Sequence, residues 1–305
     1  MDFGESVAIL LENAIRLECP FQAPDQDDPQ EEPESIKDDD VNATQENSGG
    51  VLGTNLGTGE PGADKFLGNT PYKADKLGPN PRSDSKAGTA KGTHLKVLGG
   101  DYAYVVAAHH LIPGNGSLAG EEPSDIYNYM CRGKTVQGVK HSREISKNIG
   151  YCVNGAHNGV WLPGSYAVRA GKSRTGPTWS AMAPAWQYDY MIAAVCTTGN
   201  QFHDTHSNYN DAVKEILNKL AIKLTDHVDT DCEKCKGPKI LPPYKVKRWL
   251  YAISSWLHQR VVPPRHAWKL PFLTSNGFQD AIAYNLTKFL TDCEKYDSAK
   301  STQGR

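Results

Sequence analysis

The chain has 305 residues, 38% hydrophobic and 22% charged, with a formal net charge of −2 and seven cysteines. It is long enough for about two domains, and no apolar run reaches the roughly 20 residues of a membrane helix, so no membrane span is expected. Residues 1–93 carry 8 Lys and Arg against 18 Asp and Glu, and residues 94–305 carry 25 against 17, so an acidic front precedes a basic body. A basic body suits a polyanionic partner, for which the acidic front could compete; a solvated linker beside an ordinary surface would look the same on charge alone.

The opening "MDFGESVAILLENAIRLECP" lacks the basic start of a Sec signal. It reads instead as a short amphipathic helix over residues 1–19, with Val7, Leu10, Leu11, Ala14 and Ile15 on one side and Pro20 ending it. Such a helix docks on the body of the chain or on a partner. Residues 20–93 are rich first in acids and then in Gly, Pro, Asn and Ser; they bury too little to offset the entropy of ordering, and a disordered linker is expected.

The body begins at His94. "LKVLGGDYAYVVAAHHLI" reads as a buried strand entered after a Gly-Gly turn and closing on His109 and His110. Neighbours on a strand point to opposite faces, so one imidazole can face a core and the other a cleft, or one is packed and the other merely solvated. "YCVNGAHNGVWLPG" is a turn followed by a strand at 159–162, stopped by Pro163. Asn158 is there as the turn residue that Asn-Gly favours, or for a role in a site. His141 and His157 read as surface residues.

"FHDTHSNYNDAVKEILNKLAIKL" repeats Tyr209, Val213, Ile216, Leu217, Leu220 and Leu224 at helical spacing, with Ser207 as N-cap, His206 at the start and His203 three residues earlier. Cys232 and Cys235 in "DCEKCKGP" are two free thiols or half of a structural zinc site, which would need further ligands such as His227, Cys196 or Cys293. The odd and sparse cysteine count points to synthesis in a reducing compartment. A helix near 244–262 places Val246, Trp249, Leu250, Ile253, Trp256 and Leu257 on one face, with Lys245, Lys247, Arg248 and Arg260 mostly off it. The tryptophans share the apolar stripe and read as core, leaving the basic face for phosphate contacts. A last helix is expected over 278–290, with Ile282, Leu286, Phe289 and Leu290 inward.

Three motifs in order, "AHHLIP", "NGVWLP" and "FHDTHSNYNDAV", resemble the AHH nucleases of the HNH superfamily over about residues 100–225. About fifty residues separate His110 from Asn158 and about forty separate Pro163 from His203, so both intervals must loop out of the site. The resemblance implies an α+β fold: a ββα-metal, HNH-like core over 94–225 and a helical extension over 226–305 carrying the CxxC pair. It implies His109 as a strand metal ligand and His203 and His206 as ligands at the helix start. His110 would be the general base, and Asn158 would hold its backbone or ring, with Asn154 in the similar "CVNG" as the substitute. The cofactor would be one divalent ion, Mg²⁺ first, with Zn²⁺, Ni²⁺ or Mn²⁺ as alternatives.

The implied activity is a metal-dependent, largely sequence-nonspecific DNA endonuclease acting as an antibacterial toxin. Such a toxin is made in a bacterial cytoplasm, exported by a contact-dependent route such as type VI secretion through its N-terminal region, active in the target-cell cytoplasm, and neutralised by an immunity protein. The alternatives are an RNase toxin of the same fold and a non-catalytic nucleic-acid- or protein-binding module with a structural metal.

Overall fold

The computed structural model describes residues 21, 48–58, 94–97, 100–103, 105–165, 183–229, 237–262, 264–279 and 287–295. In chain order these form α1 (Gly49–Thr58), β1 (His94–Val97), β2 (Gly100–Ala103), β3 (Val105–His110), α2 (Ile126–Met130), β4 (Thr135–Gln137), β5 (Ser142–Ile145), β6 (Gly159–Gly164), α3 (Pro184–Thr198), α4 (Ser207–Val228), β7 (Lys239–Ile240) and α5 (Tyr244–Val261). Helices and three small sheets make a mixed α+β fold, as expected. The helix expected at 1–19 and the pair Cys232 and Cys235 lie outside the described residues.

The chain runs through two turns of strand before the histidines. β1 and β2 pair antiparallel, and β3 pairs antiparallel with β6 so that His109 faces Val160 and His110 faces Gly159. The strand expected to stop before Pro163 continues to Gly164. Proline lacks only a donor, and in a two-stranded sheet β6 is an edge where that donor is not needed. The Pro163 carbonyl is used on the same edge: it accepts the N–H of His203 at 2.7 Å, and Gly164 bridges to His203. Backbone pairing therefore brings the second histidine motif beside the first.

The interval between Pro163 and His203 is not only a loop. It contains α3, which opens with Pro184, where a missing N–H costs nothing, and ends at Gly199, whose left-handed φ of 75° lets its N–H bond Val195 O. α4 buries Tyr209, Val213, Ile216, Leu217, Leu220 and Leu224, the stripe expected from spacing. Its cap differs from expectation: His206 holds the N-cap position, and Ser207 is the first helical residue, its hydroxyl taken by the Asn276 amide at 3.0 Å.

α5 buries its expected apolar stripe, and Trp249 and Trp256 are core residues, the latter edge-on to Phe272. The basic face is smaller than expected. Lys247 is buried in the helix packing, and the Arg260 guanidinium lies over the Trp256 ring at 3.4 Å. Of the last helix, residues 276–279 and 287–295 are described; Phe289 is buried and the helix reaches past 290. β7 pairs parallel with β5, and one hydrophobic cluster runs from Phe21 through Leu52 and Trp161 to Phe289 and Cys293.

Residues 48–58 correct the linker expectation where they fall. The segment carries only two large leucines, but Leu52 and Leu56 stand one helical turn apart, and both are fully buried against the β3–β6 pair. Gly159 makes this possible, since a side chain there would strike Leu52 Cδ1 at 2.7 Å and Leu56 Cδ1 at 2.8 Å. Two buried leucines contribute about 2 kcal/mol each, enough to hold a three-turn helix that composition alone marks as unstructured.

His258 in α5 is mostly buried, and burial pulls its pKa down to about 4. Between the ordinary imidazole pKa and about 4 the unfolded chain binds a proton that the folded chain does not. Stability from this group is therefore intact at neutral pH and is lost as pH falls through that window, by about 1.4 kcal/mol per pH unit. Urea unfolding at pH 7, 5.5 and 4.5 measures the slope; His258→Gln should flatten it, and an unchanged slope in that variant would exclude this source.

Candidate active site

His109, buried on β3, meets His203 and His206 from the segment that leads into α4. One ring nitrogen of each lies within 4.8 Å of the others, and among the described residues this is the group able to hold a metal ion. The ring of His109 stands edge-on to both, at centroid distances of 4.8 and 4.9 Å. The Nε2 atoms of His203 and His206 face each other at 3.2 Å. His109 Nε2 is buried with no hydrogen-bond partner.

The protonation of this cluster follows from its surroundings. Burial holds the His109 pKa well below the ordinary imidazole value, and the neighbouring histidines push it the same way. Burial also lowers the pKa of His206, against the opposing bond to Asn210. Both rings are neutral at pH 7 and keep a lone pair. For His206 the tautomer is set by Asn210, one helical turn on, whose Oδ1 lies 3.0 Å from Nδ1: an amide oxygen accepts, so the proton sits on Nδ1 and the lone pair on Nε2 faces His203. A cation accepting three imidazole nitrogens fits these residues: their ring nitrogens converge, His109 Nε2 has no hydrogen-bond partner, and His206 Nε2 keeps a lone pair. Nitrogen donors suit Zn²⁺, Ni²⁺ or Mn²⁺ better than Mg²⁺, which prefers oxygen.

The framework around the cluster is hydrogen-bonded on every side. Tyr209 is buried edge-on to His109 at 5.2 Å, donates its hydroxyl to Leu111 O at 2.7 Å, and burial raises its pKa so that it stays protonated. The "PGNGSL" turn after β3 lies on α4: Ser117 Oγ donates to Asn210 O, and a side chain at Gly116 would strike Asn210 Nδ2 at 2.4 Å. The ligand segment 201–206 is tied to residues near the C-terminal end of the described chain. Thr274 donates to Gln201 and Phe202, its carbonyl accepts from Asp204 N, and Asn276 N reaches Thr205 O.

His110 points to a different partner. Its Nε2 lies 2.9 Å from Asn154 Oδ1, and burial lowers its pKa, against the opposing bond from Asn154. Asn158 does not touch the His110 ring. Its Oδ1 accepts from Ile112 N at 2.7 Å and from Ser254 Oγ at 3.0 Å, and its Nδ2 donates to Ile112 O and Val153 O, both at 2.9 Å. Its own carbonyl accepts from Leu111 N. Asn158 therefore clamps the backbone after the His-His pair, and Asn154, expected as the substitute, holds the ring. His141 is exposed as expected; His157 is not, being buried edge-on to Tyr151 at 5.3 Å and Tyr251 at 4.2 Å.

Residues 100–235 match the model of AHH, a nuclease family of the HNH/ENDO VII superfamily with conserved AHH. This segment belongs to the AHH family. The eponymous residues are Ala108, His109 and His110 at the end of β3. No curated protein and no solved structure matches the chain. The match points to a nuclease, whose substrate is a nucleic acid, and the His cluster beside it has the donor set that could hold a metal ion. Among the described residues no helix is long and apolar enough to cross a membrane.

The residues that spacing did not reveal are Asn210, Ser254, Thr274 and the whole of α1. Asn210 had a weak signal, standing four residues after His206 where a helix presents the same face. Replacing the buried Asn158 with Ala would strand the Ile112 amide and carbonyl together, and we expect a loss of roughly 3 kcal/mol in denaturant unfolding. A loss below about 1 kcal/mol would show that the clamp is dispensable.

Proposed function

We propose that the chain is a metal-dependent endonuclease that cleaves DNA without strong sequence specificity, with His109, His203 and His206 as metal ligands and His110 as general base. The observation that carries this reading is the convergence of three imidazoles from sequence positions almost a hundred residues apart, with a fourth beside them held through one nitrogen only. The bound cation would neutralise charge on the scissile phosphate and on the departing oxygen.

The chain's own residues supply the remaining steps. Asn154 Oδ1 accepts from His110 Nε2, so the His110 proton sits on Nε2 and the lone pair on Nδ1. A water beside that nitrogen loses a proton to it as its oxygen bonds phosphorus; the bond from phosphorus to the 3′ oxygen breaks, and that oxygen takes a proton from solvent. Asn158 keeps the strand end from shifting while this occurs. Because the His110 ring is neutral at pH 7, it can act as a base there without prior deprotonation.

In this reading the protein is an antibacterial toxin, delivered into a target cell by a contact-dependent system such as type VI secretion and restrained in the producing cell by an immunity protein. The support is the resemblance of an acidic N-terminal front joined to a basic nuclease-like body to the layout of such toxins. Purified wild type should degrade plasmid DNA with Mn²⁺, Ni²⁺ or Zn²⁺, and His110→Ala should lose at least about a hundredfold in rate while still binding metal. Matched DNA and RNA substrates decide the sugar. Expression in a bacterium should be toxic, with loss of genomic DNA, for wild type alone. Full activity in His110→Ala would remove the base assignment.

Loss of one ligand separates binding from folding. His206→Ala should lower metal affinity by about ten- to a hundredfold or more in calorimetric titration while leaving the far-ultraviolet spectrum intact. Equal affinity in that variant would place the metal elsewhere.

A further inference from the structure

The His110 partner is itself held by residues from the N-terminal front of the chain. Asn154 Oδ1 accepts two hydrogen bonds, one from the ring at 2.9 Å and one from the Ser48 backbone N–H at 3.1 Å, and Asn55 Nδ2 donates to Asn154 O at 2.8 Å. Ser48 precedes α1, and its Oγ accepts from Val51 N at the helix start. α1 is seated over Gly159, the residue that pairs with His110 across the sheet.

An amide side chain has two ends that differ only in chemistry: oxygen accepts and NH₂ donates. If Asn154 were turned over, its NH₂ would face the ring, and His110 would be forced into the other tautomer, with its lone pair on Nε2 buried against Asn154 and its proton on Nδ1. A backbone N–H can only donate, so the Ser48 amide selects the orientation with oxygen inward. Oxygen inward requires the proton on His110 Nε2.

We propose that α1 is a positioning element of the nuclease: by donating from Ser48 and Asn55 to Asn154, it fixes the tautomer of His110 and so makes Nδ1 the basic atom. The inference rests on His110 being the base. Ser48 and Asn55 act through Asn154 and touch no substrate. Residues 48–58 of the acidic front are thus part of the working site and not only a tether.

The test uses the full chain with Leu52→Ser and Leu56→Ser together, which removes the apolar seat of α1 without altering residues 94–305. We expect kcat to fall about ten- to a hundredfold with KM unchanged. Asn154→Asp in that same background should restore most of kcat, because a carboxylate presents acceptors only and needs no Ser48 to orient it. A merely structural helix would give a loss that Asn154→Asp does not repair, and that result overturns the inference. Full kcat in the double variant, with His110→Ala inactive, overturns it too. Should His110→Ala retain activity, the base assignment fails first and this inference with it. Long-range ¹⁵N–¹H spectra of wild type at neutral pH provide a readout free of any variant: the Nε2–H form of His110 is expected, and the Nδ1–H form would overturn the inference.

Discussion

The constraint on which the site depends is the convergence of three imidazoles from distant parts of the chain on one point. His203 and His206 bring their Nε2 atoms to 3.2 Å, His109 adds a third ring, and burial keeps His109 and His206 from charging. The rest of the fold can be understood as the scaffold that enforces this proximity: a backbone bond from His203 to Pro163, a clamp by Asn158 behind the strand end, and the tie from Thr274 and Asn276 to the ligand segment.

The two nitrogens of a histidine have different jobs here, and amide side chains assign them. Asn210 accepts from His206 Nδ1, which in the proposed mechanism frees Nε2 for a metal; Asn154 accepts from His110 Nε2, which would free Nδ1 for water. Neither asparagine would be replaceable by an apolar residue of the same shape without freeing the ring to adopt the other tautomer. Under the proposed mechanism a site built from four histidines would depend on two residues that carry no charge, and one of these in turn on a helix from the acidic front of the chain.

Much of this was legible in the sequence. The strand ending in His109 and His110, the apolar stripe of α4 and that of α5 followed from periodicity, because each buries one continuous face. The ligand trio was implied by the resemblance, and the fold brings its three imidazoles together. The sequence was less informative where long-range packing overrides local composition. Residues 48–58 looked unstructured because nothing in their own composition announces Gly159 a hundred residues later; α3 was hidden in an interval read as insertion; Lys247 and His157 looked exposed because their charge or polarity is the usual mark of a surface, whereas aromatic and apolar neighbours enclose them. The division of labour between Asn154 and Asn158 could not be read from two similar "NG" turns, since only the folded chain shows which amide reaches the ring.

The central claim is that one cation is shared by His109, His203 and His206. Crystals grown with Mn²⁺ or Zn²⁺ and measured at the absorption edge of that metal test it most directly. One anomalous peak per chain is expected, at about 2.1 Å from a ring nitrogen of each of the three histidines. No peak there, or one bound by other residues while the three imidazoles stay bare, would contradict it.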